Sequence, residues 1–230
     1  MVSCGKELFM RIASLSLLVL LFWSPLIAQD TPSAFLSDPD GWMDITPAAD
    51  MGGWTVLTLP PGGTPHQPSQ WKAESEAGTV ICEGNGGHEW LRYDRELKDF
   101  ILHVEWRFTP VDAEKGYNSG VYVRNSSDGT VWHQAQVGDG SGGFLFGNTL
   151  VNGEVKRVNL RASSVSDRVK PAGEWNTYEV TCRGNQLTLW TNGTVTSQMP
   201  DCEVLQGYVG LEAEGYRIEF RNLKLKELSN

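Results

Sequence analysis

Glu212 and Glu214 stand two residues apart in Tyr208-Val209-Gly210-Leu211-Glu212-Ala213-Glu214-Gly215. In an extended strand both carboxylates project from one face. Like charges held that close repel, and a purely structural sheet gains nothing from the arrangement. One of the two is expected to keep its proton above the ordinary carboxylate range, which suits it to general acid or base work. The same alternation sets Tyr122 beside Arg124 in Asn118-Ser119-Gly120-Val121-Tyr122-Val123-Arg124, and Trp132, Gln134 and Gln136 together in the run 132–137. In His103-Val104-Glu105-Trp106-Arg107, the residues His103, Glu105 and Arg107 share a face. A curved sheet face carrying carboxylates, amides, cations and rings is suited to a polar, ring-shaped ligand such as a sugar.

If these strands are neighbours in one sheet, its concave face gathers Glu105, Arg107, Arg124, Gln134, Gln136, Glu212 and Glu214. Glu105 with Arg107 or Arg124 reads equally as a cross-strand ion pair on a solvated sheet, which contributes little. Asn118, between Gly116 and Gly120, is a turn residue as readily as a ligand contact. Arg221 and Asn222 read as groups that hold the terminal strand. His133 falls on the face of Ala135 and Val137 and is expected to pack there, whereas His103 shares the Glu105 face. His88, beside Glu89, could line a rim. Asp139, leading into Gly140-Ser141-Gly142-Gly143, could bind a cation or form a mobile lip. No compact acidic loop supplies the several oxygens a cation takes, and no Cys/His spacing suggests zinc. The sequence thus requires no cofactor and leaves a divalent cation open.

The elements that must position these groups are strands. Residues 1–28 have the form of an export signal, with Lys6 and Arg11 ahead of the apolar run Ile12 to Leu21 and small Ala28 at the cut. An uncleaved anchor is the alternative. Removal leaves 17 basic and 27 acidic residues, a net charge of −10. That charge disfavours nucleic acid and anionic membrane surfaces and is compatible with a neutral carbohydrate. An exported chain is expected in the periplasm or outside the cell.

Residues 29–228 fit one domain, with 29–40 a flexible lead-in and 29–70 irregular apart from one strand over 54–59. From Trp71 onward, short apolar or alternating runs recur at 78–83, 89–93, 99–109, 119–125, 131–137, 143–146, 175–183, 186–192, 207–213 and 216–226. Glycine- and asparagine-rich turns separate them. Residues 151–168 read as a long loop. Many short strands at this spacing predict an all-β sandwich or jelly roll. Of Cys82, Cys182 and Cys202, the last two flank neighbouring expected strands and are the pair expected to form a disulfide, with Cys82 a small buried hydrophobe.

Three segments carry a resemblance to a known family. Asp99-Phe100-x-Leu102-x-x-Glu105-x-Arg107, then Asn118 to Arg124, then Gln136-Val137-x-Asp139 resemble the 3-keto-disaccharide hydrolase family. Pro171-Ala172-Gly173-Glu174-Trp175-Asn176 and Glu219-Phe220-Arg221-Asn222-Leu223 continue it in order. The resemblance covers roughly residues 40–228. It implies a concanavalin-like jelly-roll sandwich of two antiparallel sheets, and action on glycosides oxidised at carbon 3. Two stretches depart from the family's pattern. Gln134 stands where many relatives carry Glu, and Leu211-Glu212-Ala213-Glu214-Gly215 stands where many read Leu-Gln-x-His-Gly. A carboxylate is lost on one strand and gained on another.

The implied chemistry needs a base for the proton on carbon 2, an acid for the leaving aglycone and a partner for the enolate oxygen. Glu212 or Glu214 suits base or acid, and Arg124 or Arg107 the enolate oxygen. Gln134, Gln136 and Tyr122 would orient hydroxyls and stack on the ring. Other readings are a direct two-carboxylate glycosidase and a non-catalytic carbohydrate-binding module.

Overall fold

The computed structural model describes Met1, residues 30–111 and residues 116–229. Apart from Met1, the expected export signal lies outside the described residues. No helix among them is long and apolar enough to cross a membrane. A single turn of helix, α1 (Ala34–Ser37), precedes the strands β1 (Met43–Asp44), β2 (Trp54–Thr58), β3 (Trp71–Glu74), β4 (Thr79–Cys82), β5 (Glu89–Tyr93), β6 (Phe100–Phe108), β7 (Ser119–Asn125) and β8 (Trp132–Val137). The chain continues through β9 (Leu145–Val151), β10 (Glu154–Asn159), β11 (Asn176–Arg183), β12 (Gln186–Thr191), β13 (Thr194–Met199), β14 (Tyr208–Ala213) and β15 (Ile218–Glu227).

Two antiparallel sheets pack face to face, as a jelly-roll sandwich requires. One runs β13-β12-β11-β6-β15-β4-β3, with β1 added along β15. The other runs β10-β9-β8-β7-β14-β5-β2. Alternation sorts the side chains. From β6, Leu102, Val104, Trp106 and Phe108 turn into the sandwich, and from the other sheet Val121, Ala135, Val137 and Leu211 join them in one core. Each large apolar side chain fully buried there contributes roughly 1.5–3 kcal/mol. That burial sets which face of every strand looks outward.

Three expectations about the elements are corrected. Residues 151–168 are not one long loop, because β10 pairs with β9 in register across Val151 and Glu154. The turn between them is Asn152-Gly153, both at positive φ (52° and 75°), which is two-residue hairpin chemistry. β10 is an edge strand with nearly every residue exposed, so no apolar alternation marks it. β13 was also absent from the expected runs. The described part of the expected flexible lead-in, residues 30–40, is docked rather than free. Ser33 Oγ and the backbone N–H groups of Ala34 and Phe35 donate to the Glu179 carboxylate at 2.6, 2.6 and 3.0 Å.

The largest correction concerns β6. It lies between β11 and β15, in the sheet opposite β7, β8 and β14. His103, Glu105 and Arg107 therefore share a face, but it is the outer face of the other sheet. Glu105 accepts from Arg221 Nε at 2.7 Å and Asn222 Nδ2 at 2.8 Å. Its neighbours His103, Asn222 and Arg221 hold its carboxyl down at about 2. Arg107 pairs with Glu219 at 2.8 Å, and the Arg107 and Arg221 guanidinium groups flank the Trp175 ring at 4.6 and 3.8 Å. His103 Nδ1 lies 2.9 Å from Glu179. The ion-pair reading was right in kind, but the partners are on β15 and β11.

The expected Cys182–Cys202 disulfide is absent, since both residues are buried free thiols. Cys202 follows β13 and turns toward His133 Nε2, 3.6 Å away. Burial pushes the Cys182 and Cys82 thiols up to about 12, so both are inert hydrophobes.

Candidate active site

The outer face of the β7–β8–β14–β5 sheet holds the other residues singled out by type. Register brings them together, because Tyr122 stands opposite Gln134 and Gly210, and Glu212 stands opposite Trp90. Two glycines open the space they fill. A Cβ at Gly120 would sit 2.0 Å from Gln134 Nε2, and one at Gly210 would sit 2.6 Å from the Trp90 ring. Above this floor is a cavity of about 510 Å³ whose lining includes His88, Asn118, Tyr122, Gln134, Gln136, Glu212 and Glu214. Sequence reasoning brought all of these but His88 and Asn118 to one sheet face, and left Asn118 between a turn and a ligand contact. His88 was seen only as a possible rim residue, since it lies just outside β5 and has no alternation to place it.

Glu212 is the centre of the floor and is 2% exposed. Its carboxylate Oε1 is bonded to His88 Nε2 at 2.8 Å and accepts from the Tyr122 hydroxyl, while Oε2 accepts from Gln134 Nε2 at 2.6 Å. Three side chains from three different segments thus converge on one carboxyl group and fix its orientation. Glu214, half-buried just past the end of β14, accepts from Asn118 Nδ2 at 2.5 Å. Asn118 is itself oriented by Gln136 Nε2, which donates to its Oδ1 at 2.6 Å. Burial, and then the nearby Glu212 charge, push the Glu214 carboxyl up. The bond to Glu212 pushes the His88 imidazole up. The site therefore holds one anchored carboxylate, one that keeps its proton more readily, and an imidazole favoured in its charged form.

Gln134 and Glu212 are partners in one short hydrogen bond. The β8 and β14 positions at which the resemblance implied a departure from the family's pattern thus meet in a single contact.

Arg124 is not in the site. Between the pairs Tyr122–Gly210 and Asn125–Tyr208, β7 has two residues where β14 has one, a β-bulge. Arg124 sits in it at φ 49°, so strict alternation fails by one residue. Asn125 takes the place on the cavity face, and Arg124 turns beneath and is fully buried. Its guanidinium donates to the carbonyls of Lys98, Gly184 and Val204 and to Asp99. Asp139 lies outside the cavity lining and caps a loop, accepting from Ala172 N at 3.1 Å. His133 packs in the interior as expected, with burial lowering it to about 4.

His88, Glu212 and Glu214 each offer a ligand atom, all within 4.8 Å of one another. A divalent cation could use that set. Binding one would require His88 Nε2 to give up its proton and its bond to Glu212. Without a cation, the same three groups can take a proton from carbon, return one to oxygen and balance a developing negative charge.

Comparison with known proteins extends this geometry. A curated protein of Bacteroides thetaiotaomicron named 3-keto-disaccharide hydrolase is 23% identical over 243 residues, covering 83% of this chain and 80% of its own. Among solved structures, a suspected glycosyl hydrolase of Parabacteroides distasonis matches with a TM-score of 0.58 at 16% identity, over 87% of this chain and 100% of that one. A carbohydrate-binding module of Bacillus subtilis matches with a TM-score of 0.51 at 15% identity, over 75% and 94% of the two chains. These structural likenesses establish the concanavalin-like fold. A family model described as the 3-keto-alpha-glucoside-1,2-lyase-like domain matches residues 38–226, and the chain belongs to that family.

Proposed function

We propose that this protein cleaves glycosides whose sugar carries a ketone at carbon 3, by elimination and rehydration over the Glu212, Glu214 and His88 floor. The observation that carries the reading is the unequal pair of carboxylates beside an imidazole in one cavity. Glu214, with its raised carboxyl, is the base that takes the proton from carbon 2. The C–H electrons form the C2=C3 bond of an enolate. His88, in its charged form, stands in for the cation that Arg124 or Arg107 was expected to supply, and it balances the enolate oxygen. As the ketone re-forms, those electrons move to C1=C2 and the C1–O bond breaks. The aglycone oxygen leaves with a proton from protonated Glu214. Water then adds across C1=C2, hydroxyl to carbon 1 and proton to carbon 2, for a net hydrolysis. Glu212 does not transfer protons in this scheme. It holds His88, Tyr122 and Gln134 in place.

The test is release of a chromogenic aglycone from a 3-keto-glucoside by the wild type, Glu214→Gln and His88→Ala, each with and without chelator. Loss of one positioned proton-transfer group lowers turnover by about 10²–10⁴-fold. Full turnover in Glu214→Gln would remove this mechanism. Saturable sugar binding by a wild type that turns over no 3-keto-glucoside would make the protein a carbohydrate-binding module instead. Chelator sensitivity would add a cation to the floor.

A further inference from the structure

The cavity is chemically divided, and only one half has a role in the reaction above. Hydrogen-bonding groups cluster at the Glu212–Glu214–Asn118 end. Beyond Tyr122 the lining is Trp132 and Phe146, with Pro61 reaching over to that side. Trp132 and Phe146 meet edge to face, with centroids 5.2 Å apart and planes at 88°. Arg157 from β10 caps the corner between them, 4.6 Å from one ring centroid and 4.9 Å from the other. Among the described residues no carboxylate lies within ion-pair distance of Arg157, so its guanidinium serves the rings. Tyr122 joins the halves. Its hydroxyl binds Glu212, while its ring lies edge-on to Trp132 at 6.1 Å. Pro61 closes the wall from above, so near Gly129 that a Cβ there would sit 2.7 Å from its Cγ.

We infer that this wall is the aglycone subsite and that it takes a planar aromatic aglycone. The inference rests on the proposed cleavage of 3-keto-glycosides, because the sugar must occupy the polar floor for its carbon 1 substituent to reach the wall. A second sugar ring would bring several hydroxyls against Pro61 and the ring faces of Trp132 and Phe146. Asn125, the polar side chain at that end, already accepts from His133 N at 3.0 Å. Apart from one within reach of the Asn125 amide N–H, each hydroxyl desolvated there would lose water without gaining a partner. A flat ring loses nothing and gains edge-to-face contacts with Trp132 and Phe146. About 510 Å³ is within the range of pockets that enclose small-molecule ligands.

The experiment compares benzyl and methyl 3-keto-glucosides, whose leaving alcohols are similar in acidity, with a glucosyl aglycone as the third arm. The expected KM is about tenfold lower for benzyl than for methyl, equivalent to roughly 1.4 kcal/mol. In Trp132→Ala that ratio collapses toward one, with a thermal melt to establish folding. Should that variant not fold, Phe146→Leu and the wild-type ratio carry the test. Equal KM values for benzyl and methyl, or a glucosyl aglycone bound more tightly than benzyl, would overturn the inference. Titration calorimetry with benzyl and methyl glucosides, which lack the ketone, reads the wall independently of turnover. A protein that turns over no 3-keto-glucoside but favours benzyl in calorimetry has lost the proposed reaction and kept the aromatic subsite. The converse result keeps the reaction and removes the subsite.

Discussion

Replacing Arg124 by methionine separates a structural role from a catalytic one. The guanidinium is fully buried and donates to Lys98 O at 2.7 and 3.1 Å, to Gly184 O at 2.7 Å, to Val204 O at 3.1 Å and to Asp99 at 3.0 Å. Methionine fills the stem's volume but leaves three carbonyls and a carboxylate without this donor. Removing one partner of a buried charged cluster costs about 3–5 kcal/mol. Part of the Asp99 loss is cushioned, because Gly184 N also donates to it at 2.8 Å. At roughly 2–4 °C per kcal/mol for a domain of this size, the melting temperature should fall by about 6–20 °C. Calorimetry reads that shift, and turnover measured well below the variant's transition reads the site. The expected outcome is a destabilised protein that keeps wild-type activity per folded molecule. Wild-type melting with lost turnover would refute the bulge argument and return Arg124 to the chemistry.

Other outcomes follow from the same contacts. If Glu214 is the base and charged His88 the enolate partner, kcat/KM is bell-shaped in pH. Turnover falls as pH drops through the Glu214 value, which lies above the ordinary carboxylate range, and falls again as pH rises through the His88 value, above that of a free imidazole. A flat profile would dismiss these assignments. Gly120→Ala must displace Gln134, since the new Cβ would lie 2.0 Å from its Nε2. That loosens the donor set on Glu212 and should lower kcat/KM by about tenfold or more, with little change if Gln134 is idle. Glu179→Ala removes the acceptor for Ser33, Ala34, Phe35 and His103 and should cost about 3 kcal/mol, with fast amide exchange over residues 30–42. Burial alone would raise the Glu179 carboxyl, yet its bonds hold it low. This anchor is therefore fully present above an unfolded glutamate's pKa and is lost as pH falls through the folded value. Slow exchange in the variant would mean that Phe35 and Trp42 hold the segment on their own.

Much of the fold was legible because burial imposes period-two alternation on central strands. β6, β7, β8 and β14 show it plainly, and so the Tyr122, Gln134, Gln136 and Glu212 face could be read from residue types alone. What alternation does not encode is which strands share a sheet. β6 has the same polar-outward pattern as β8, and only the antiparallel topology sends its Glu105 and Arg107 to the far side of the sandwich. A bulge is equally silent, because one inserted residue moved Arg124 from cavity to interior without any local signature beyond its positive φ. β10 escaped notice because an edge strand buries little, although Asn152-Gly153 marked its turn. His88 could have been found only by knowing that the chain entering β5 passes over Glu212.

The contact between Gln134 and Glu212 has a bearing on how such a site can change over generations. An amide and a carboxylate 2.6 Å apart form a unit with one negative charge, and exchanging the two residues preserves both the charge and the bond. Changing either one alone does not. Two glutamates would set like charges against each other in a nearly dry floor, and two glutamines would leave His88 and Tyr122 without an anion to hold. Moving the charge from one strand to the other by single changes would pass through one of these two pairs, of which the glutamate pair keeps both the charge and the bond only by sharing one proton. Reading such a site one position at a time would record a loss and a gain where the charge and the bond are unchanged.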